Sequence, residues 1–137
     1  MWKQKLGVNV KLSNQEWQTY ITSRNSGDFD VIRASWVGDY NEASTFLSLL
    51  TSVHTGNIAR FHSGDYDRLL QDTSMKTDAA ARNATYNLAE RLLLEQAPIA
   101  PLYQYTNARL IKPWVKGYPI NNPEDVVYSH TLYITKH

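Results

Sequence analysis

The chain is 137 residues long, with 14 basic against 13 acidic side chains and a formal net charge of +1. So even a balance, with no basic block on any predicted helix, excludes the electrostatic footprint of a nucleic-acid binder or of a protein held on an anionic membrane surface. Cysteine is absent, which excludes disulfide staples, thiolate metal sites and cysteine nucleophiles, and the 42% of hydrophobic residues form no long uncharged run that could span a bilayer.

Residues 1–6 carry charge but have neither an apolar h-region nor a small-residue cleavage site, so they do not read as a signal peptide. They read as the stub of a helix that Gly7 ends. Val8-Asn9-Val10-Lys11-Leu12 alternates strictly, the pattern of a strand. Asn14 is placed to cap a helix, and Trp17, Tyr20, Ile21 and Arg24 then fall on one helical face. Gly27 closes that helix. Residues 29–36 form the next predicted strand. Strand, helix, strand at this spacing predicts a βαβ unit with a parallel pair and a right-handed crossover.

In open α/β sheets, ligands lie beyond the carboxyl ends of the strands. Arg33, Trp36 and Asp39 stand at that end, within seven residues of one another. Two readings of them are open. One is an ion pair capping the strand with Trp36 in the core; the other is a site for a polar ligand with an apolar wall beside it. Trp17 and Arg24, on one helix face, are open in the same way: a tryptophan packed on the sheet with an arginine at its edge, or a border of the same crevice.

Further along, residues 44–50 read as helix and 51–64 as a polar loop. A short helix over 66–73 opens after Asp65, its expected cap. A longer helix, capped by Thr77, runs through Gln96 with Tyr86, Ala89, Leu92 and Leu93 as its buried stripe, and Pro98 stops it. Residues 99–111 read as strand, broken by Lys112-Pro113-Trp114. Residues 117–123 are rich in turn formers, Glu124 and Asp125 open a turn or helix, and 131–135 form a last strand.

No motif assembles a catalytic or cofactor site. His54, His62, His130 and His137 are scattered and show no metal-ligand spacing, and no P-loop, dinucleotide fingerprint or nucleophile elbow occurs. Asn83-Ala84-Thr85 matches a glycosylation sequon but falls inside a predicted helix. The expectation is a protein that is not an enzyme and needs no cofactor or metal.

The segments Asn14-Gln15-Glu16-Trp17, Arg24, Phe29-Asp30-Val31, Arg33-Ala34-Ser35-Trp36, Asp39-Tyr40-Asn41-Glu42, Ala108-Arg109-Leu110, Lys112-Pro113-Trp114 and Leu132-Tyr133-Ile134-Thr135-Lys136-His137 together resemble the periplasmic oligopeptide-binding proteins, the substrate-binding subunits of peptide ABC importers. Val37-Gly38 and Tyr118-Pro119-Ile120-Asn121-Asn122-Pro123 resemble the murein-peptide-binding branch of that family. The resemblance covers the whole chain. It implies an α/β carboxyl-terminal piece of a longer, two-lobed protein that begins at an internal methionine. Residues 1–106 would belong to the carboxyl-terminal ligand-binding lobe, with the βαβ unit and flanking helices, and 107–137 would cross back to the other lobe.

The implied function is a periplasmic receptor that delivers peptides, murein tripeptide in particular, to an inner-membrane ABC permease. A general oligopeptide binder is the alternative, and a peptide or murein hydrolase a weaker one. By the same resemblance, Asp39 would bind the peptide's α-ammonium. The backbone at Ser35 and Val37 would pair with the extended ligand. Trp17, Trp36 and Tyr105 would line side-chain pockets, and Arg24 and Arg33 would face acidic groups. Alone, the piece would bind weakly or not at all, and its unpaired strand edges would invite self-association.

Overall fold

In the computed structural model, which describes residues 1–122 and 125–136, the order is α1 (Trp2–Leu6), α2 (Trp17–Ser26), α3 (Ser44–Leu47) with a 3-10 turn (Ser48–Leu50), α4 (Gly64–Ser74), α5 (Ala79–Gln96), β1 (Val115–Lys116), a second 3-10 turn (Ser129–Thr131) and β2 (Tyr133–Ile134). The chain is α/β and divides into two compact units, Met1–Ala34 and Ser35–His137.

In the first unit, α2 begins where the Glu16 carboxylate accepts from the Gln18 and Thr19 amides. The cap is therefore Glu16, not Asn14. Either residue offers an oxygen, but only Glu16 adjoins the first turn. At the other end Gly27 takes φ 78° and its amide closes on the Ser23 carbonyl. Left-handed backbone of this kind favours glycine. The expected strands over 8–12 and 29–36 carry no ladder bonds among the described residues. A strand is held by its neighbour's backbone groups, and these two segments do not supply them to each other. Of the expected βαβ unit, the helix forms and the two strands do not, among the described residues.

The core lies in the second unit. Leu50, Phe61, Tyr66, Leu70, Tyr86, Ala89 and Leu93 are buried together, with Leu47, Ala59, Leu69 and Leu92 packed against them. They come chiefly from α4 and α5, which lie against each other. The predicted stripe of α5 holds, with Leu92 at its edge. Leu50, Phe61, Leu70 and Leu93 each contribute about 1.5–3 kcal/mol by leaving water. Tyr66 is fully buried, meets Phe61 edge-on at 5.5 Å and donates its hydroxyl to the Leu47 carbonyl at 2.6 Å. Burial, together with the Asp67 carboxylate, pushes that phenol well above its ordinary value, so it stays a donor.

Both caps in this unit shift by a residue or two from expectation. Ser63, not Asp65, accepts from the Tyr66 amide at the start of α4, leaving Asp65 to pair with Arg68. Asp78, not Thr77, accepts from the Ala81 amide at the start of α5. Residues 99–111, expected as strand, carry no ladder among the described residues. The last predicted strand forms only as β2, antiparallel to β1, pairing Val115 with Ile134 and Lys116 with Tyr133. Gly117 makes this possible: a Cβ there would stand 1.8 Å from the Thr131 carbonyl oxygen. Of the acids expected to open a turn, Asp125 accepts from Arg109 and Asn107; Glu124, with Pro123 and His137, lies outside the described residues.

Candidate functional site

The loop that follows the first unit is drawn into a closed ring. The Asp39 amide donates to the hydroxyl of buried Thr45 at 2.9 Å, the Glu42 amide to the Tyr40 carbonyl at 3.0 Å, and the Thr45 amide to the Glu42 carbonyl at 3.2 Å. The Tyr40 and Ser44 hydroxyls meet at 3.1 Å. Gly38 enters this ring with its Cα toward Thr45 and the Phe46 ring, where an added Cβ would come within 3.2–3.3 Å of side-chain carbons.

The ring is fastened to α5. Glu42 Oε1 accepts from Arg82 Nε at 3.0 Å and from the Tyr86 hydroxyl at 2.8 Å. Arg82 also donates to the Lys76 and Thr77 carbonyls at 3.2 and 2.9 Å, tying in the turn between α4 and α5. The Tyr86 hydrogen bond, then Arg82, hold the Glu42 carboxyl below its ordinary range against the opposing effect of burial. A groove of about 440 Å³ runs beside the clamp, lined by Tyr40, Glu42, Lys76, Arg82 and Tyr86 among others. Lys76 is itself held by Asp72 and the Thr85 hydroxyl.

Among the described residues, no hydrogen bond or ion pair is made to the Asp39 carboxylate, and the residue is exposed. A carboxylate held by its backbone and open at its tip can accept a strong, charge-assisted bond from a cationic ligand group. Ser35, Trp36 and Val37 precede it on the same loop, all exposed. Trp36 is 42% exposed, so it is not the core residue that one reading of the sequence allowed. Tyr105 belongs to the same unit, on the exposed segment after α5; its ring stands edge-on to Tyr103 at 5.0 Å and its oxygen accepts from the Tyr103 hydroxyl at 3.1 Å.

The remaining candidates belong to the first unit. Trp17 opens α2, largely exposed, its ring tilted over Tyr20 at 5.4 Å. Arg24 is half-buried in the last turn of α2. The Arg33 carbonyl accepts from the Tyr20 hydroxyl at 3.0 Å, which joins the segment after α2 back to that helix.

Sequence reasoning singled out Asp39 and passed over what holds it. Glu42 stood in a quoted motif without a role, Tyr86 counted only as core, and Thr45 and Arg82 carried no signal. Nothing local links Glu42 to partners 40 and 44 residues away.

The family model described as bacterial extracellular solute-binding proteins, family 5 Middle, matches residues 1–57. The periplasmic murein peptide-binding protein MppA of Escherichia coli K12 is 71% identical over all 137 residues, which are 26% of its length. A solved structure of the E. coli murein tripeptide binding protein MppA superposes with a TM-score of 0.86 at 70% identity, covering 99% of this chain and 27% of that one. Haemophilus influenzae OppA, solved in complex with the peptide RPPGFSPFR, gives a TM-score of 0.84 at 42% identity over 98% of this chain and 27% of its own. The chain thus spans about a quarter of the length of the relatives it matches. In sequence and in fold, the whole chain is thus similar to about a quarter of the periplasmic murein-peptide-binding and oligopeptide-binding proteins.

Proposed function

We propose that these residues are the part of a periplasmic peptide receptor that carries its amine anchor, and that the receptor hands murein tripeptide to an inner-membrane ABC permease. The observation that carries the reading is the 71% identity, without a break in coverage, to a murein peptide-binding protein. The receptor binds and releases its ligand unchanged; the relatives are named as binding proteins, and no step of chemistry is assigned to any residue. Residues 1–106 belong to one lobe and 107–137 cross to the other, and closure of the lobes excludes the water that weakens charged hydrogen bonds.

Asp39 takes the peptide's α-ammonium. Backbone groups at Ser35 and Val37 pair with the extended peptide, which gives affinity without reading side chains. Trp17, Trp36 and Tyr105 wall the side-chain pockets. Arg24 and Arg33 answer carboxylates, of which a murein tripeptide has several, and guanidinium is suited to them by shape and charge. A second reading, a general oligopeptide receptor, is favoured by the peptide complex of the 42%-identical relative.

The test is calorimetry on E. coli MppA in which these 137 residues replace the matching quarter. Murein tripeptide should bind more tightly than a nonapeptide; the reverse order selects the second reading. Asp39→Asn keeps the shape and removes the charge. Loss of one partner from a buried charged pair costs roughly 3–5 kcal/mol, so affinity for the tripeptide should fall more than about a hundredfold. A change of only a few fold would remove Asp39 as the anchor. The 137 residues alone, which offer only part of the contacts, should bind weakly or not at all.

A further inference from the structure

We infer that Glu42, clamped by Arg82 and Tyr86 of α5, is the positioning residue for Asp39: it holds the ring that presents the Asp39 carboxylate to the ligand's amine. The inference rests on the reading of Asp39 as amine anchor and goes beyond it by naming the device that aims the anchor.

Three observations carry it. First, the segment from Asp39 to Thr45 is closed on itself by backbone and hydroxyl bonds, so a force on Glu42 reaches Asp39 through a short, bonded path. Second, the Glu42 side chain of that ring reaches a distant helix, through two donors on one oxygen at 3.0 and 2.8 Å. Third, the helix side of the clamp is itself fixed. The Tyr86 ring is buried in the core, and Arg82 is braced by two carbonyls of the preceding turn. A charged acceptor shared by a guanidinium and a phenol is a strong, directional pair of bonds. Side chains that hold a ligand-facing group to within a fraction of an ångström have to be anchored in this manner, because a loose carboxylate gives up the geometry on which a charge-assisted bond depends.

The clamp also explains why two carboxylates lie so near each other in sequence. One is consumed by the fold and the other is left open, among the described residues, at its tip. Tyr86→Phe removes one donor and keeps the buried ring, and so separates positioning from packing.

The experiment is a double-mutant cycle on the same MppA hybrid, read by calorimetry with murein tripeptide and with its N-acetylated form at raised concentration. Glu42→Gln should weaken the free-amine peptide about tenfold and Tyr86→Phe about threefold. Both should leave the N-acetylated peptide within about twofold, and Glu42→Gln should add nothing once Asp39 is Asn. Equal losses for both peptides, full additivity with Asp39→Asn, or no loss in either variant would overturn the inference while Asp39 remains the anchor. Unchanged binding by Asp39→Asn would overturn the anchor reading and the inference with it. Should Glu42→Gln fail to fold, Tyr86→Phe carries the same comparison.

Discussion

Asp39 and Glu42 meet opposite fates although they share a loop and a charge. Glu42 accepts from Arg82 and Tyr86, while the Asp39 carboxylate accepts nothing among the described residues. The difference sets a pH dependence. Hydrogen bonds from Tyr86 and Arg82 hold the folded-state value of Glu42 below the ordinary 4.5. The ionised form is therefore favoured in the folded chain, and the resulting stability is present in full above the ordinary value. It is lost as pH falls through the lowered folded value. The urea midpoint of the chain should exceed that of Glu42→Gln near neutral pH, and the gap should close in acid across that window. A gap that stayed constant from neutral pH into acid would mean that the bonds to Glu42 do not depend on its charge.

Among the elements, helices were legible and ladders were not. A helix satisfies its backbone within a few residues, so the Trp17–Ser26 and Ala79–Gln96 segments announce themselves by local pattern and by their stops. Cap identity was harder. Thr77 and Asp78 both offer oxygens, and only the path of the chain decides that Asp78 reaches the Ala81 amide. The end of α5 carries a further consequence. Ala97 caps it in the left-handed region at φ 47°, where its Cβ crowds the following carbonyl. Ala97→Gly should relieve this, and the relief should outweigh glycine's larger entropy in the unfolded chain by about 0.5–1 kcal/mol. Thermal unfolding checks it: the midpoint should rise by a few degrees, and a fall would mean that the cap is not strained.

At the scale of the whole molecule, a small core stands against a large apolar surface. Leu12, Leu102, Leu110 and Ile120 are all more than 80% exposed. The segments 8–12, 29–36 and 99–111 form no ladder among the described residues. Apolar patches and unpaired edges of this kind are ordinarily covered, and the chain spans about a quarter of its relatives' length. In isolation it should therefore self-associate. Sedimentation velocity over a wide concentration range should give a weight-average mass that rises with concentration. Compact monomer at every concentration would count against the idea.

What the sequence by itself determined was local or cumulative. Periodicity and stops located the helices, turn formers marked the loops, and spaced motifs over the whole length carried the resemblance to peptide-binding proteins. Tertiary structure alone decided which carboxylate is spent on the fold, that Tyr86 is a hydrogen-bond donor as well as core, and that Gly117 must be glycine for Thr131 to pass so close. It also decided that the expected parallel strands form no ladder among the described residues. The reason is common to all four. A helical bond joins residues a turn apart, so its partners stand in the same window of sequence. The Glu42 clamp spans 40 and 44 residues, and a ladder needs a second strand, so neither exists until packing brings the partners together.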